Sequence, residues 1–276
     1  MQRKIVKTIR GQAAIDGAGV HLTRVLGHDD VKDFDPFLML DSFDSTNPDD
    51  YTRGFPMHPH RGIETVTYLI EGEIDHEDSL GNKGVIGPGQ AQWMTAGSGI
   101  LHQEMPMAAP RMLGFQLWVN LPQTDKMTPP AYYDVTEEMI PAVQEGPATV
   151  RVIAGQYKGK QGAQPRHVQA TLYDVSLPAG EAIELSNQPQ ENAFVFLIQG
   201  NGQIEGQAIS EKTAVLFGEG DSVRVQATDK QPLRFIYYAA RPLRESIAWG
   251  GPIVMNTQEE LRHAFSELRA GTFLKG

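Results

Sequence analysis

The sequence predicts an all-β protein: two β-barrel domains in tandem, closed by a short C-terminal helix. Strand-like runs punctuated by glycine and proline, an internal repeat and a scarcity of helical periodicity carry this expectation. Glycine (28 residues) and proline (18) are spread along the chain as turn signals. Between them lie Glu64–Ile70, Leu113–Val119, Thr171–Leu177, Ala193–Ile198, Val223–Val225 and Arg234–Tyr238. These runs are short, β-branched or aromatic, and partly alternating, as strands with one face in a core are.

The repeat divides the chain. Leu69-Ile-Glu-Gly72 returns as Leu197-Ile-Gln-Gly200, 128 residues on, and Gly87-Pro-Gly89 as Gly218-Glu-Gly220, 131 residues on. The preserved order and near-constant offset indicate two similar β domains. The polar stretch Asp134–Pro147 marks the boundary, giving an N-terminal domain over 1–133 and a C-terminal domain over 134–276. One helix is expected, Thr257–Arg269, with Asn256 or Thr257 as cap, Glu259 and Glu260 in its first turn and Gly271 as its stop. Leu261, Ala264, Phe265 and Leu268 recur at helical spacing, so this helix packs on a barrel.

Composition excludes several classes. Lys plus Arg total 24 against 34 Asp plus Glu, a net charge of −10, which argues against direct nucleic-acid binding. With no cysteine, disulfides, thiolate metal sites and thiol catalysis are ruled out. The longest apolar runs, Ala193–Ile198 and Phe235–Ala240, are far short of a membrane span. Met1-Gln2-Arg3-Lys4 leads into mixed polar sequence, not a signal peptide, and Gln2 excludes N-myristoylation. The expectation is a soluble cytoplasmic protein. Gly97-Ser-Gly99 is no nucleophile elbow, and Gly200–Gly206 has the wrong spacing for a dinucleotide loop.

The chemistry concentrates in two short segments. His58-Pro-His60 places two imidazoles on one face of an extended chain, and Glu64 keeps their parity. His102-Gln-Glu104 repeats the geometry with an imidazole and a carboxylate. Two such pairs on neighbouring strands would bring three neutral nitrogens and one anionic oxygen to a point. That donor set suits iron, manganese, nickel, copper or zinc better than calcium or magnesium. A six-coordinate ion would keep two positions for a guest, as catalytic centres do. At the 128-residue offset the second copy has Ser186, Gln188 and Asn192 in place of His58, His60 and Glu64, so only the first domain is expected to bind metal. His21, His28, His76, His167 and His263 read as surface or hydrogen-bonding residues, His76 among acids in a solvated turn. Arg53 and Arg61 flank the histidine pair, as surface cations or as anion attractors. Met57, Met94, Met105 and Met107 line an apolar pocket or, more simply, pack in the core.

Gly54-Phe-Pro-Met-His-Pro-His-Arg-Gly-Ile-Glu-Thr-Val-Thr-Tyr68, continuing through Leu69–Gly72, resembles the signature of the pirin family. Gln92–Pro106 resembles its second block, and Gly251-Pro-Ile-Val-Met-Asn256 with Thr257–Glu260 adds to the likeness. The resemblance implies a bicupin: two tandem cupin (double-stranded β-helix) barrels, the metal in the N-terminal one. Matched position by position, it implies His58, His60, His102 and Glu104 as metal ligands and leaves Glu64 a near neighbour. Two activities come with it. Bacterial members resemble quercetin 2,3-dioxygenases, which open a flavonol ring with dioxygen and release carbon monoxide. Eukaryotic members are iron-containing nuclear cofactors of transcription regulators, implying a metal-dependent, redox-sensing binding protein with a protein partner. The lack of a Lys/Arg-rich localisation run favours the enzyme. The expected cofactor is a divalent transition metal, iron first, with manganese, nickel, copper, zinc or cobalt as alternatives. The expected substrate is a flavonol or another small enol. Glu104 is the expected proton acceptor and Glu64 the reserve.

Overall fold

Every strand-like run named above lies within a strand in the computed structural model, which describes residues 1–275. Ile63–Glu71, Met112–Asn120, Thr171–Leu177, Asn192–Gln199, Ser222–Ala227 and Leu233–Ala240 extend the six runs by at most two residues at either end. The chain forms two compact units, each with a core of its own.

The first unit holds residues 13–31, 36–136 and 243–276. Its seven-stranded antiparallel sheet runs Ala131–Val135, Ala91–Thr95, Ile63–Glu71, Met112–Asn120, Phe37–Ser45, Val20–Leu26, Gln12–Asp16. Its four-stranded sheet runs Phe55–His60, Ile100–Pro106, Ile74–Asp78, Lys83–Ile86. Pro56 and Pro59 lack the N–H that an inner strand must donate, and Phe55–His60 accordingly lies at the edge of its sheet.

The second unit holds residues 1–12, 32–35 and 137–242. Its seven-stranded sheet runs Ile5–Arg10, Thr213–Phe217, Asn192–Gln199, Leu233–Ala240, Thr171–Leu177, Ala148–Ala154, Ala142–Glu145. Its four-stranded sheet runs Ala182–Ser186, Ser222–Ala227, Gly202–Ile204, Gln207–Ile209. The two units share one strand order apart from the chain ends. The edge place held by Ala131–Val135 in the first is taken by Ile5–Arg10 in the second. The expected cut between 133 and 134 falls three residues from the change at 136/137, but both chain ends belong to the opposite unit from the one expected.

The helix forms at Gln258–Ala270. Thr257 caps it in a capping box with Glu260, and Gly271 ends it in the left-handed conformation at φ 71°. Leu261 and Ala264 are buried against Ala248, Ile253 and Met255. No helix among the described residues is long and apolar enough to cross a membrane.

Strand pairing also corrects the repeat at the motif. In the first unit His58 pairs with His102 and His60 with Ile100. The buried pairs between the corresponding strands of the second unit are Ile183 with Val225 and Leu185 with Val223. The counterparts of the histidine positions are therefore apolar, and Ser186 and Gln188 are displaced from them, whereas Asn192, paired with Ala240 as Glu64 is with Val119, does stand in the place of Glu64. A fixed offset fails here because the turn after Ser186 is longer than the one after His60.

Candidate metal centre

The two histidine segments lie side by side in the four-stranded sheet. Residues directly opposite in an antiparallel pair share a face, which puts His58 beside His102. A register shift follows between His102 and Glu104, so that Glu104 sits opposite Phe55. Gly54 permits this approach: at φ 59° a Cβ there would stand 2.7 Å from the Glu104 carbonyl oxygen.

The far end of the His-Pro-His strand is pinned by a turn. Gly62, at φ 78°, leaves no room for a side chain, since a Cβ would lie 1.9 Å from the Val254 carbonyl oxygen. The buried Lys126 ammonium donates to the Gly62 carbonyl at 2.7 Å. Arg61 is fully buried and serves neither role the sequence allowed it. Its guanidinium donates to the Ser98 carbonyl (2.7 Å), Glu267 (2.6 Å) and the Phe273 carbonyl (2.8 Å). It thereby ties the turn to the end of the C-terminal helix. Arg53 is exposed.

His58, His60 and His102 come together, each offering a ring nitrogen within 4.8 Å of the others. The Nδ1 of His58 lies 3.0 Å from the Pro56 carbonyl oxygen, and the Nδ1 of His60 lies 3.1 Å from that of Pro252. A carbonyl only accepts, so each Nδ1 carries the proton and each Nε2 presents a lone pair. Those two Nε2 atoms face each other at 3.0 Å. Two lone pairs do not hydrogen-bond, and the distance is about that between ligand nitrogens holding one ion at right angles with bonds of about 2.1 Å. His102 is fully buried, and neither of its nitrogens has a hydrogen-bond partner among the described residues. A buried, unpartnered imidazole is costly unless an ion takes its lone pair. Burial, reinforced by neighbouring His58, pushes His60 down to about 3, and burial with the other imidazoles pushes His102 well below the usual range. Both rings stay neutral at physiological pH, as metal ligands must. These residues fit a transition metal.

Glu104 is buried on the same strand face as His102 but is not part of the three-histidine cluster. Its carboxylate accepts from Thr67 Oγ1 at 3.0 Å and from Gln116 Nε2 at 2.6 Å. Glu64 is placed elsewhere. It lies three residues from Thr67 on the unbroken strand Ile63–Glu71 and so faces the opposite side of the sheet, where it accepts from Thr95 Oγ1 at 2.7 Å. The Arg61-Gly62 turn separates two strands in two sheets, and the parity counted from His60 does not survive it.

His76 is also corrected. It stands on the strand Ile74–Asp78, buried, with Nε2 3.3 Å from Asp78, its ring stacked on Tyr132 and 5.5 Å from that of His102. Of the four methionines, Met94 is core, while Met57 and Met107 are exposed.

A cavity of about 590 Å³ opens in front of His58 and His60. Met39, Phe55, Trp118 and Trp249 give it apolar walls, and Gln116 connects it to Glu104. Trp118 meets His60 edge-on at 4.9 Å, and His28 stacks on Trp249 at 3.8 Å. Arg24 lies on the same wall, gripping Asp41 with bonds of 2.9 and 2.7 Å and Asp16 at 2.7 Å. Sequence reasoning missed this lining because its parts come from distant segments with no motif of their own.

Residues 19–119 match the Pirin family, and residues 172–274 match the Pirin C-terminal cupin domain. Over 277 residues the chain is 44% identical to a pirin-like protein of Caulobacter vibrioides, covering 98% of this chain and 99% of that one. The chain belongs to the pirin family. It is also 43% identical, over 281 residues, to a Pseudomonas aeruginosa protein whose name proposes a quercetin 2,3-dioxygenase, covering 98% of this chain and 97% of the other. Among solved structures, a quercetin 2,3-dioxygenase from Acinetobacter baumannii aligns with a TM-score of 0.90 at 31% identity, covering 99% of each chain. Pirin membership makes the two sheet pairs two cupin domains.

Proposed function

We propose that this pirin-family chain is a metal-dependent dioxygenase that opens the ring of a flavonol or related enol with dioxygen. The observation that carries the proposal is the pair of lone pairs on His58 and His60, joined by the neutral His102, at the wall of a cavity with aromatic sides. The names of the Pseudomonas and Acinetobacter relatives support it. The cavity volume, about 590 Å³, falls within the roughly 300–1,000 Å³ common to small-molecule sites.

His58, His60 and His102 would hold the ion, and we assign Glu104 as the fourth ligand. Bound there, a divalent transition metal, iron first among the candidates, supplies Lewis acidity toward an enol hydroxyl and a route for electrons to dioxygen. The chain's own groups do the rest. Trp118 and Trp249, 5.8 Å apart, present faces to a planar polyphenol, and with Met39 and Phe55 they displace water. Glu104 accepts the proton of the substrate hydroxyl, and Thr67 and Gln116 hold its carboxylate in place for that transfer. Gln116 is itself oriented by the Trp118 indole, which donates to its Oε1 at 3.4 Å. Glu64, on the far side of the sheet, takes no part.

The test is anaerobic titration of quercetin into metal-loaded protein, followed by admission of oxygen. A shift of the flavonol absorption on binding, then its loss with release of carbon monoxide, is expected. Binding without carbon monoxide release would overturn the dioxygenase.

A further inference from the structure

The second cupin domain carries a cleft of its own, in the place corresponding to the metal cavity. In the first domain Thr67 pairs with Gln116, which pairs with Asp41, and Trp118 pairs with Met39. In the second, 128 residues beyond Thr67, Val195 pairs with Tyr237, which pairs with Tyr173, and Ala239 pairs with Thr171. The wall positions Met39, Asp41, Gln116 and Trp118 thus have Thr171, Tyr173, Tyr237 and Ala239 as counterparts. These four line a cleft of about 310 Å³ together with Ser186, Gln188 and Glu191.

The cleft differs from the metal cavity in chemistry. It contains no histidine, and its single carboxylate, Glu191, is one that burial pushes up. Arg3 and Arg241 offset that charge. Arg3 donates to Asn187 Oδ1 (3.2 Å) and the Gln188 carbonyl (2.9 Å), and Arg241 donates to Gln188 Oε1 (2.9 Å). A metal ion therefore has no donor set here, no cationic side chain lines the cleft to hold an anion, and the charge of Glu191 is already met for a cation. Tyr237 is fully buried, yet its hydroxyl has no hydrogen-bond partner among the described residues, whereas the neighbouring Tyr173 hydroxyl donates to the Gln156 carbonyl at 2.5 Å. An unmatched buried hydroxyl is costly unless something in the cleft meets it. The hydroxyls of Tyr237, Thr171 and Ser186 both donate and accept, whereas Glu191 only accepts. A ligand hydroxyl, itself both donor and acceptor, satisfies either kind.

We propose that the second cupin domain binds a small, uncharged, hydroxylated molecule in this cleft, with Tyr237 as its deepest hydrogen-bond partner. The site is independent of the metal centre, and its occupancy needs no turnover.

The experiment is titration of the full chain with catechol, followed by NMR of ring-labelled tyrosine. The Tyr173 and Tyr237 signals should shift together and saturate. Tyr237→Phe, which removes only the hydroxyl, should weaken the affinity read at Tyr173 about two- to tenfold, the worth of one hydrogen bond, while metal content stays unchanged. Ala239→Leu, which fills the cleft, should abolish it. Tyrosine signals unmoved up to about 10 mM catechol, equal affinity in Tyr237→Phe, or catechol-soaked crystals with only water on Tyr237 would each overturn the proposal.

Discussion

Because the Pro56 and Pro252 carbonyls take the Nδ1 protons, His58 and His60 are committed to offering Nε2. His60→Ala should lower metal content more than about tenfold, while Gln188→Ala leaves it unchanged, as elemental analysis will measure. Equal loss in both would refute a single site in the first domain. The same residues set a pH dependence. His60 falls from an unfolded value near 6.5 to about 3 in the fold, so below pH 6.5 the unfolded chain takes up a proton that the native state refuses. Stability of the metal-free protein is full above that pH and declines toward pH 3, by up to about 1.4 kcal/mol per unit for this one ring. Urea unfolding between pH 7 and 5 should show the decline, and His60→Gln should make it shallower, leaving the share of His102. The histidines were legible because i, i+2 spacing maps directly onto one strand face. Glu64 was misread because parity was carried across Arg61-Gly62, and His76 because its acidic neighbours suggested solvent. Asp78 is instead its buried partner.

At the level of elements, the turn after the His-Pro-His strand and the C-terminal helix form one mechanical unit joined by Arg61. Arg61→Ala removes three hydrogen bonds and leaves Glu267, which Lys275 and Arg61 hold down to about 2, with one cation fewer. The expected loss is about 3–5 kcal/mol, the cost of breaking a buried ion pair. Amide exchange over Gln258–Ala270 should accelerate before that in the sheets; uniform acceleration would contradict the linkage. Thr257→Ala removes the cap alone and should cost about 1 kcal/mol by thermal denaturation. The helix itself was plain in the sequence, from cap to stop, since those signals are local. Its tie to the His-Pro-His strand was not, because the two halves of that tie lie 206 residues apart.

At the scale of the whole molecule, the repeat foretold two domains of one kind but not the exchange of their ends. Ile5–Arg10 covers the edge of Thr213–Phe217, a strand that would otherwise present unpaired backbone. A chain beginning at residue 13 should therefore melt several degrees lower and aggregate more readily, with metal content per folded molecule unchanged. Differential scanning calorimetry with elemental analysis tests both halves of that statement. Equal melting temperatures would show the terminal strand to be dispensable. No local pattern marks Ile5–Arg10 as belonging to the later domain, because an edge strand reads the same whichever sheet it completes.

The crossing of the chain ends also imposes an order of events during synthesis. Ile5–Arg10 waits for a partner strand made roughly 200 residues later. The carbonyl of Pro252, which fixes the proton on His60, is made 192 residues after that histidine. Until Pro252 has emerged the nascent chain carries histidines without the lock that readies them, so the cluster is completed long after its own strands have been made.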